Sequence, residues 1–409
     1  MNTQTNTPKL RFPEFKSEWE RKRLGEIAQI TSGGTPNRSN PLFWNGKIPW
    51  VSTTLINFNT ILETEEFITD EGLANSSAKI FPIGTILIAL YGQGKTRGKV
   101  ALLGINASTN QACAAIIPKL KEIYPLFLFY NLEDRYKKIR ILSNLGGQEN
   151  LSGDIIKSLP IVYPHLPEQK RIASFFTVLD KKIAELKQKK NLLEQYKKGV
   201  MQKLFSQELR FKDEKGKDFP MWEKKKLGEV TNIKSGLSKD QNITNTGYRV
   251  TRIETISDGK INLEKVGYID ESENIADYKI KKGDILFSNI NSVAHIGKTA
   301  IAKSDIDLYH GMNLLCLRSI ALINPLFLYY LLNTNKLRNY FKSICNQAVS
   351  QASINQSALA KTIIEIPCYP EQTKIANFLS AVDEKINHTQ TQIEKTELYK
   401  KGLLQKMFC

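Results

Sequence analysis

Between Glu168 and Phe205 the chain carries no proline and a single glycine, Gly199. Apolar side chains, interrupted by two lysines, recur there at Ile172, Phe176, Leu179, Ile183, Leu186, Lys190, Leu193, Lys197, Val200 and Leu204. The spacing alternates four and three without a break, which predicts a long helix with a coiled-coil seam and lysine at two seam positions. The alternation returns at Ile375, Leu379, Val382, Ile386, Thr389, Ile393, Thr396, Lys400, Leu403 and Met407. Pro167-Glu168-Gln169 and Pro370-Glu371-Gln372 open the two runs. Proline suits the first turn, and an acidic residue suits the positive end of a helix. A helix over 168–205 spans ~57 Å at ~1.5 Å per residue. Elsewhere the apolar runs are short and β-rich. Gly84 and Gly283 precede two of them and read as turns entering strands. Pro125 and Pro325 each begin a Pro-Leu-Phe-Leu segment that reads as a helix start.

The second long run repeats the first. WERKRLGEIAQITSG from Trp19 returns as WEKKKLGEVTNIKSG from Trp222, PEQKRIASFFTVLDKKI from Pro167 as PEQTKIANFLSAVDEKI from Pro370, and YKKGVMQKLF from Tyr196 as YKKGLLQKMF from Tyr399. All three pairs share an offset of 203 residues, so a unit of about 200 residues is duplicated. Between these blocks the copies diverge, which suits one scaffold presenting two different binding surfaces. The pattern predicts an α+β chain. Two tandem mixed α/β domains (1–164 and 207–367) are separated by two long antiparallel coiled-coil helices (165–206 and 368–409), with an internal pseudo-two-fold. Leu10-Arg11-Phe12 resembles Leu209-Arg210-Phe211, and a pseudo-two-fold would bring the end of the chain near its beginning. Pairing inverted equivalents sets Lys190 level with Thr389, a polar layer able to fix register. Alternatively, each helix packs only on its own domain.

Charge narrows the function. Against 41 Asp and Glu there are 58 Lys and Arg, a formal net charge of +17, and such a basic chain attracts a polyanion, nucleic acid first. Two equivalent readers on one face of a duplex are related by a dyad, which would again make the helices antiparallel. No apolar run is long enough to span a membrane, and the first seven residues carry no secretion signal. The five cysteines and four histidines are dispersed, without C-x-x-C. This fits a reducing cytoplasm and predicts neither disulfides nor a metal site.

Two motifs fail on context. Ala89 to Thr96, ALYGQGKT, approximates a phosphate loop, but Arg97 to Leu103 reads as a turn into a strand, whereas such a loop must open a helix. Asn40-Pro41-Leu42-Phe43 and Asn324-Pro325-Leu326-Phe327 approximate an amino-methyltransferase motif, with leucine in place of its second proline. A stand-alone methyltransferase or ATPase is therefore the weaker alternative, as is a coiled-coil scaffold for an acidic protein. No catalytic residue, cofactor loop or metal ligand is expected in this chain.

Side chains able to reach phosphates and base edges lie in the divergent segments. In the first copy they are Arg38, Asn40, Gln93, Lys95, Thr96, Arg97, Asn110, Gln111 and Gln148. In the second they are Lys239, Arg249, Arg252, Asn289, Asn291, His295, Lys298 and Asn313. The run from Gly147 to Ser152 and its counterpart around Gln351, Ile354 and Asn355 read instead as structural turns.

Three features together carry a resemblance: the duplicated Trp-Glu…Leu-Gly-Glu segments, the Pro-Glu-Gln-x-x-Ile-Ala helix starts, and the Tyr-Lys-Lys-Gly…Gln-Lys-Leu/Met-Phe endings. The whole chain resembles the specificity subunits of type I restriction–modification enzymes. The resemblance implies that each variable domain is a target-recognition domain reading one half of a bipartite, asymmetric site in double-stranded DNA. The helices would set the gap and dock two modification subunits. S-adenosylmethionine, and the adenine methylation it supports, would belong to those partners. ATP and magnesium would serve two restriction subunits, in a cytoplasmic complex without membrane contact. Individual base-contacting residues do not transfer, because the recognition domains differ between members.

Overall fold

A computed structural model of the chain describes residues 6–92, 96–142, 150–241, 246–257, 259–270, 275–347 and 352–409. Gln93, Lys95, Gln148 and Gln351 lie outside the described residues. The chain divides into two compact units. Met1–Lys187 and Thr391–Cys409 form one, and Gln188–Gln390 form the other. Each long helix thus contributes one end to each unit.

The first unit is built on a five-stranded sheet in the order Ala28–Ser32, Cys113–Pro118, Ile86–Ala89, Val100–Leu103, Asn59–Ile61. All neighbours are antiparallel except the last pair. The central strands are apolar at almost every position because both faces are covered. Ile86, Ile88, Val100, Leu102, Ala114 and Ile116 face one core, whereas Leu87, Ala89, Ala101, Leu103, Cys113 and Ala115 face a second. The two-residue period of a strand separates the two sets. Against the first core lies helix α1 (Pro125–Asp134), with Phe127, Leu128 and Tyr130 buried. Proline stands at its first turn, and the preceding sheet is entered through Gly84 at φ +87°. The segment read as a spurious phosphate loop lies between two antiparallel strands, Ile86–Ala89 and Val100–Leu103, and the described residues that follow it, from Thr96, turn into the second strand and form no helix.

Helix α2 (Leu166–Phe205) begins in this unit. Ile172, Ala173 and Phe176 from its first turns share one core with Leu403, Leu404, Met407 and Phe408 from the chain's end. The start of one helix therefore meets the end of the other, and the pairing is antiparallel. Leu10 N–H donates to the Lys406 carbonyl (2.8 Å), which places the first described segment beside the last.

The second unit repeats the plan. Its four-stranded sheet runs Thr231–Ser235, Leu315–Ser319, Ile285–Phe287, Thr299–Ile301, all antiparallel. Ile285, Phe287, Ile301, Leu315 and Leu317 face one core, while Leu286, Ala300 and Cys316 face another. Helix α3 (Pro325–Leu332) occupies the place of α1. The end of α2, through Leu204, joins the beginning of helix α4 (Tyr369–Met407), through Ile375, Ala376 and Leu379, in one core.

The helix seam therefore differs from a free-standing coiled coil. Ile172, Phe176, Leu204, Ile375, Leu379, Leu403 and Met407 belong to domain cores as well as to the helix pair. Leu179 and Val200 pack at the edges of those cores. Ile183, Leu186, Val382 and Ile393 are buried between them in sequence, while Leu193 and Ile386 stay partly exposed. The polar layer expected from Lys190 and Thr389 takes another form. Thr389 Oγ1 donates to the Lys385 carbonyl (2.8 Å), and Lys190 Nζ pairs with Glu194 at 3.5 Å. Each is satisfied on its own helix, as a threonine hydroxyl readily is.

Candidate nucleic-acid interface

The repeated motifs make the frame that holds the divergent loops. In the first unit strand Glu20–Arg23 pairs with Pro160–Tyr163, the strand just before α2; Glu223–Lys226 pairs with Ile363–Ile366 in the second. Each domain is thus tied at both ends to the root of a long helix. The Leu-Gly-Glu turn that follows is buried through Leu24 and Leu227. Its glutamate accepts a backbone N–H at the turn's start, Arg23 to Glu26 and Lys226 to Glu229. The glycine ending each Ser-Gly pair is required by packing. A Cβ on Gly33 would lie 1.9 Å from the Thr109 carbonyl oxygen, and one on Gly236 would lie 1.9 Å from that of Gly311.

Pro-Glu-Gln is an anchor rather than a mere helix start. Glu168, 3% exposed, receives Arg11 Nε and Nη2, both at 2.7 Å. Glu371, fully buried, receives Arg210 Nε (3.1 Å) and Nη2 (2.7 Å). These hydrogen bonds hold both guanidinium groups above their ordinary pKa against the opposing effect of burial. Gln169 accepts from Tyr124 N–H (2.7 Å) and donates to the Glu122 and Pro164 carbonyls. Gln372 does the same with Asn324, Leu322 and Pro367. The repeated Leu-Arg-Phe segments thus supply the arginines, a role that proximity in sequence does not reveal.

On this frame the sheets present equivalent ends. Ala89 pairs with Cys113, so the segments after Ala89 and before Cys113 leave the first sheet together. Phe287 pairs with Leu315, and the same holds for the second sheet. In the first unit these segments carry Thr96, Arg97, Asn110 and Gln111. Arg97 Nε and Asn110 Oδ1 are buried without a hydrogen-bond partner among the described residues. Gln111 accepts from the Thr35 hydroxyl. Gly34 N–H donates to the Thr109 carbonyl (2.8 Å), drawing the segment that bears Arg38 to the same end. The Arg38 guanidinium stacks on Trp44 (3.9 Å to the ring centroid), lies near Trp50 (4.8 Å) and is ion-paired with Glu66. Asn40 caps the turn Pro41–Phe43 by accepting from Leu42 N–H.

In the second unit Asn289, Asn291, His295, Lys298 and Asn313 occupy the corresponding segments. Asn289 Oδ1 is buried without a partner among the described residues, and its Nδ2 donates weakly to Ile354 O (3.4 Å). Asn291 is engaged locally, with Ser288 Oγ and Ser292 N–H. His295 Nδ1 lies 3.2 Å from Lys298 Nζ. Asn313 is exposed, with a left-handed φ of +70°. Arg249 lies within the strand Tyr248–Thr251, and Arg252 directly follows it. Arg249 pairs with Asp307 at 3.6 Å, and Arg252 donates to Gln241. Lys239 is exposed just beyond Leu237, whose N–H donates to His310 O. Ser152 and Asn355 each cap a short helix, accepting from Ile155 and Ala358 N–H.

Three comparisons agree with this geometry. The family described as Type I restriction modification DNA specificity domain matches residues 16–195 and 221–398, and the chain belongs to that family. It is a type I restriction–modification specificity subunit with two recognition domains. A Methanocaldococcus jannaschii protein bearing the name of the MjaX type I restriction enzyme specificity subunit is 46% identical over 192 residues, which covers 46% of this chain and 45% of that protein. The MjaIX specificity subunit of the same organism is 25% identical over 96% of this chain and 93% of its own length. A solved specificity subunit from M. genitalium shares the fold, with a TM-score of 0.60 and 17% identity over 98% of this chain and 99% of that one.

Among the described residues no three His, Cys, Asp or Glu side chains are grouped to hold a metal. No described helix is long and apolar enough to cross a membrane.

Proposed function

We propose that each recognition domain reads one half of a bipartite, asymmetric site in double-stranded DNA, and that the paired helices set the gap. The observation that supports this best is the contrast within each unit. The anchoring residues are repeated almost atom for atom, whereas the segments leaving the equivalent sheet ends share little sequence. A common frame with divergent ends suits two readers of different sequences. The net charge of +17 supplies the attraction to phosphate that such reading needs.

In this reading the chain is the non-catalytic member of a complex. Its helices dock two modification subunits that bring S-adenosylmethionine and methylate adenine, and two restriction subunits bring ATP- and magnesium-dependent cleavage. The assembly works in the cytoplasm. Arg97, Asn110, Gln111, Asn289 and Asn313 lie on the segments that leave the equivalent sheet ends, with Arg38 drawn to the same end, and in this reading those ends approach the duplex.

The test is a domain exchange. The chain is expressed with its modification subunit, methylated adenines are mapped across the host genome, and the map is repeated after residues 16–160 are replaced by those of another family member. One half-site should change while the other half-site and the gap persist. An unchanged site, or indiscriminate methylation by the intact complex, would overturn the proposal.

A further inference from the structure

Two of the lysines that interrupt the apolar seams, Lys197 and Lys400, sit at equivalent positions of the repeat and each meets the other long helix. In the second unit Lys197, near the end of α2, meets Asp383 of α4 at 2.6 Å and lies over the Tyr330 ring, 5.3 Å from its centroid. Tyr330, on α3, donates its hydroxyl to the same aspartate (2.8 Å). The first unit holds the counterpart. Lys400 of α4 meets Asp180 of α2 at 2.8 Å and lies over Tyr130, 5.2 Å from its centroid. Tyr130, on α1, donates to Asp180 at 2.8 Å. Lys400, 9% exposed on its side chain, also meets Glu133 at 2.9 Å, so two carboxylates and a ring replace most of its contact with water.

Each cluster joins three elements: a helix of the recognition domain, the long helix that follows that domain, and the long helix of the other repeat. An apolar seam tolerates slippage and rotation, because one buried methyl resembles the next. A lysine held between a carboxylate and an aromatic face, buried at Lys400 and half-buried at Lys197, has one satisfactory position. We infer that Lys197 and Lys400 are positioning residues, each fixing the orientation of a recognition domain on the helix pair and thereby the single gap at which both domains meet their half-sites. The inference rests on the proposed reading of bipartite DNA. The aspartate and tyrosine serve as the socket, and the lysine is the element that arrives from the other copy.

Lys197→Met keeps most of the side chain's length and removes its charge, whereas Lys197→Arg keeps the charge. Two measurements on the full chain expressed with its modification subunit test the assignment. In the first, hydrogen exchange is followed in peptides covering 325–332. Exchange should accelerate at least tenfold in Lys197→Met and return toward wild type in Lys197→Arg, with 125–134 unchanged. In the second, methylation is mapped on a plasmid library carrying both half-sites at the native gap and at gaps one or two base pairs longer or shorter. Lys197→Met should lose its preference for one gap, with the half-site sequences unaltered, and Lys197→Arg should restore it.

The inference is overturned if Lys197→Met retains wild-type exchange, or loses protection while still methylating only the native gap at the wild-type rate. It is also overturned if Lys197→Met changes a half-site sequence. A wild-type complex that methylates no bipartite site would instead defeat the proposed function, and the exchange measurement would still report whether Lys197 holds α3. Lys400→Met provides the replicate, with the roles of peptides 125–134 and 325–332 reversed.

Discussion

Replacing Arg210 by methionine should release the start of α4. Glu371 is fully buried and takes both its side-chain hydrogen bonds from Arg210, which also donates to the Phe219 and Pro220 carbonyls. Methionine fills much of the space but supplies no donor. Removing one member of a buried ion pair costs about 3–5 kcal/mol, because the remaining charge has no counter-charge. With ~1.4 kcal/mol per factor of ten, hydrogen exchange across 369–383 should accelerate by between about 150-fold and about 4,000-fold. Arg210→Met with Glu371→Gln should recover most of the protection, since no charge is then stranded. An acceleration below tenfold at pH 7, or a double variant no better than the single one, would refute the account of Pro-Glu-Gln as a charged anchor.

The two lysine clusters differ in one residue, and the difference is titratable. Lys400 faces Glu133 (2.9 Å) as well as Asp180, where the second unit has Asn333 in the place of Glu133. Burial holds the Glu133 carboxyl above its usual pKa, with Asp180 and Asp134 adding to the effect and Lys400 opposing it. A raised carboxyl loses its stabilising contribution as pH rises, so Glu133→Gln should become progressively more favourable relative to wild type between pH 4.5 and pH 7.5. Thermal melts at the two values decide it, and a trend of opposite sign would remove the argument. Four residues inserted after Leu186, about one helical turn, should lengthen the permitted gap or abolish activity while leaving both half-site sequences intact. Methylated-site mapping reads the outcome, and an altered half-site with an unchanged gap would reject the ruler.

The elements that follow a strict period were legible in the sequence. The 4-3 alternation locates two long helices because each turn must bury the same stripe, and α2 and α4 run through both predicted stretches. The prolines at 125 and 325 and the glycines at 84 and 283 were equally readable, since their backbone preferences act locally. The hidden part is what joins elements far apart in sequence. Arg11 and Glu168 are separated by 157 residues, and nothing in the local composition of either segment names the other. The candidates for DNA contact were not separable by sequence for a different reason. Arg38, Asn40, Asn291 and Arg252 are all engaged with neighbours inside the chain, so donor and acceptor chemistry alone did not separate local structure from a surface awaiting a partner.

The lysine clusters lie between these cases, because their signal was present in the repeat. Lys197 and Lys400 interrupt the seam at equivalent positions, and Asp180 and Asp383 are also equivalent, each 17 residues before a lysine on its own helix. In an antiparallel pair the order of the two charges is reversed on the opposing helix. An Asp-to-Lys spacing common to both helices therefore lets each lysine meet the aspartate of the other helix. A parallel pair in register would instead set lysine against lysine. The charges that weaken the hydrophobic pattern thus specify direction, which the apolar residues alone leave open. That is the physical reason a lysine can be retained in a seam where leucine would bury more surface.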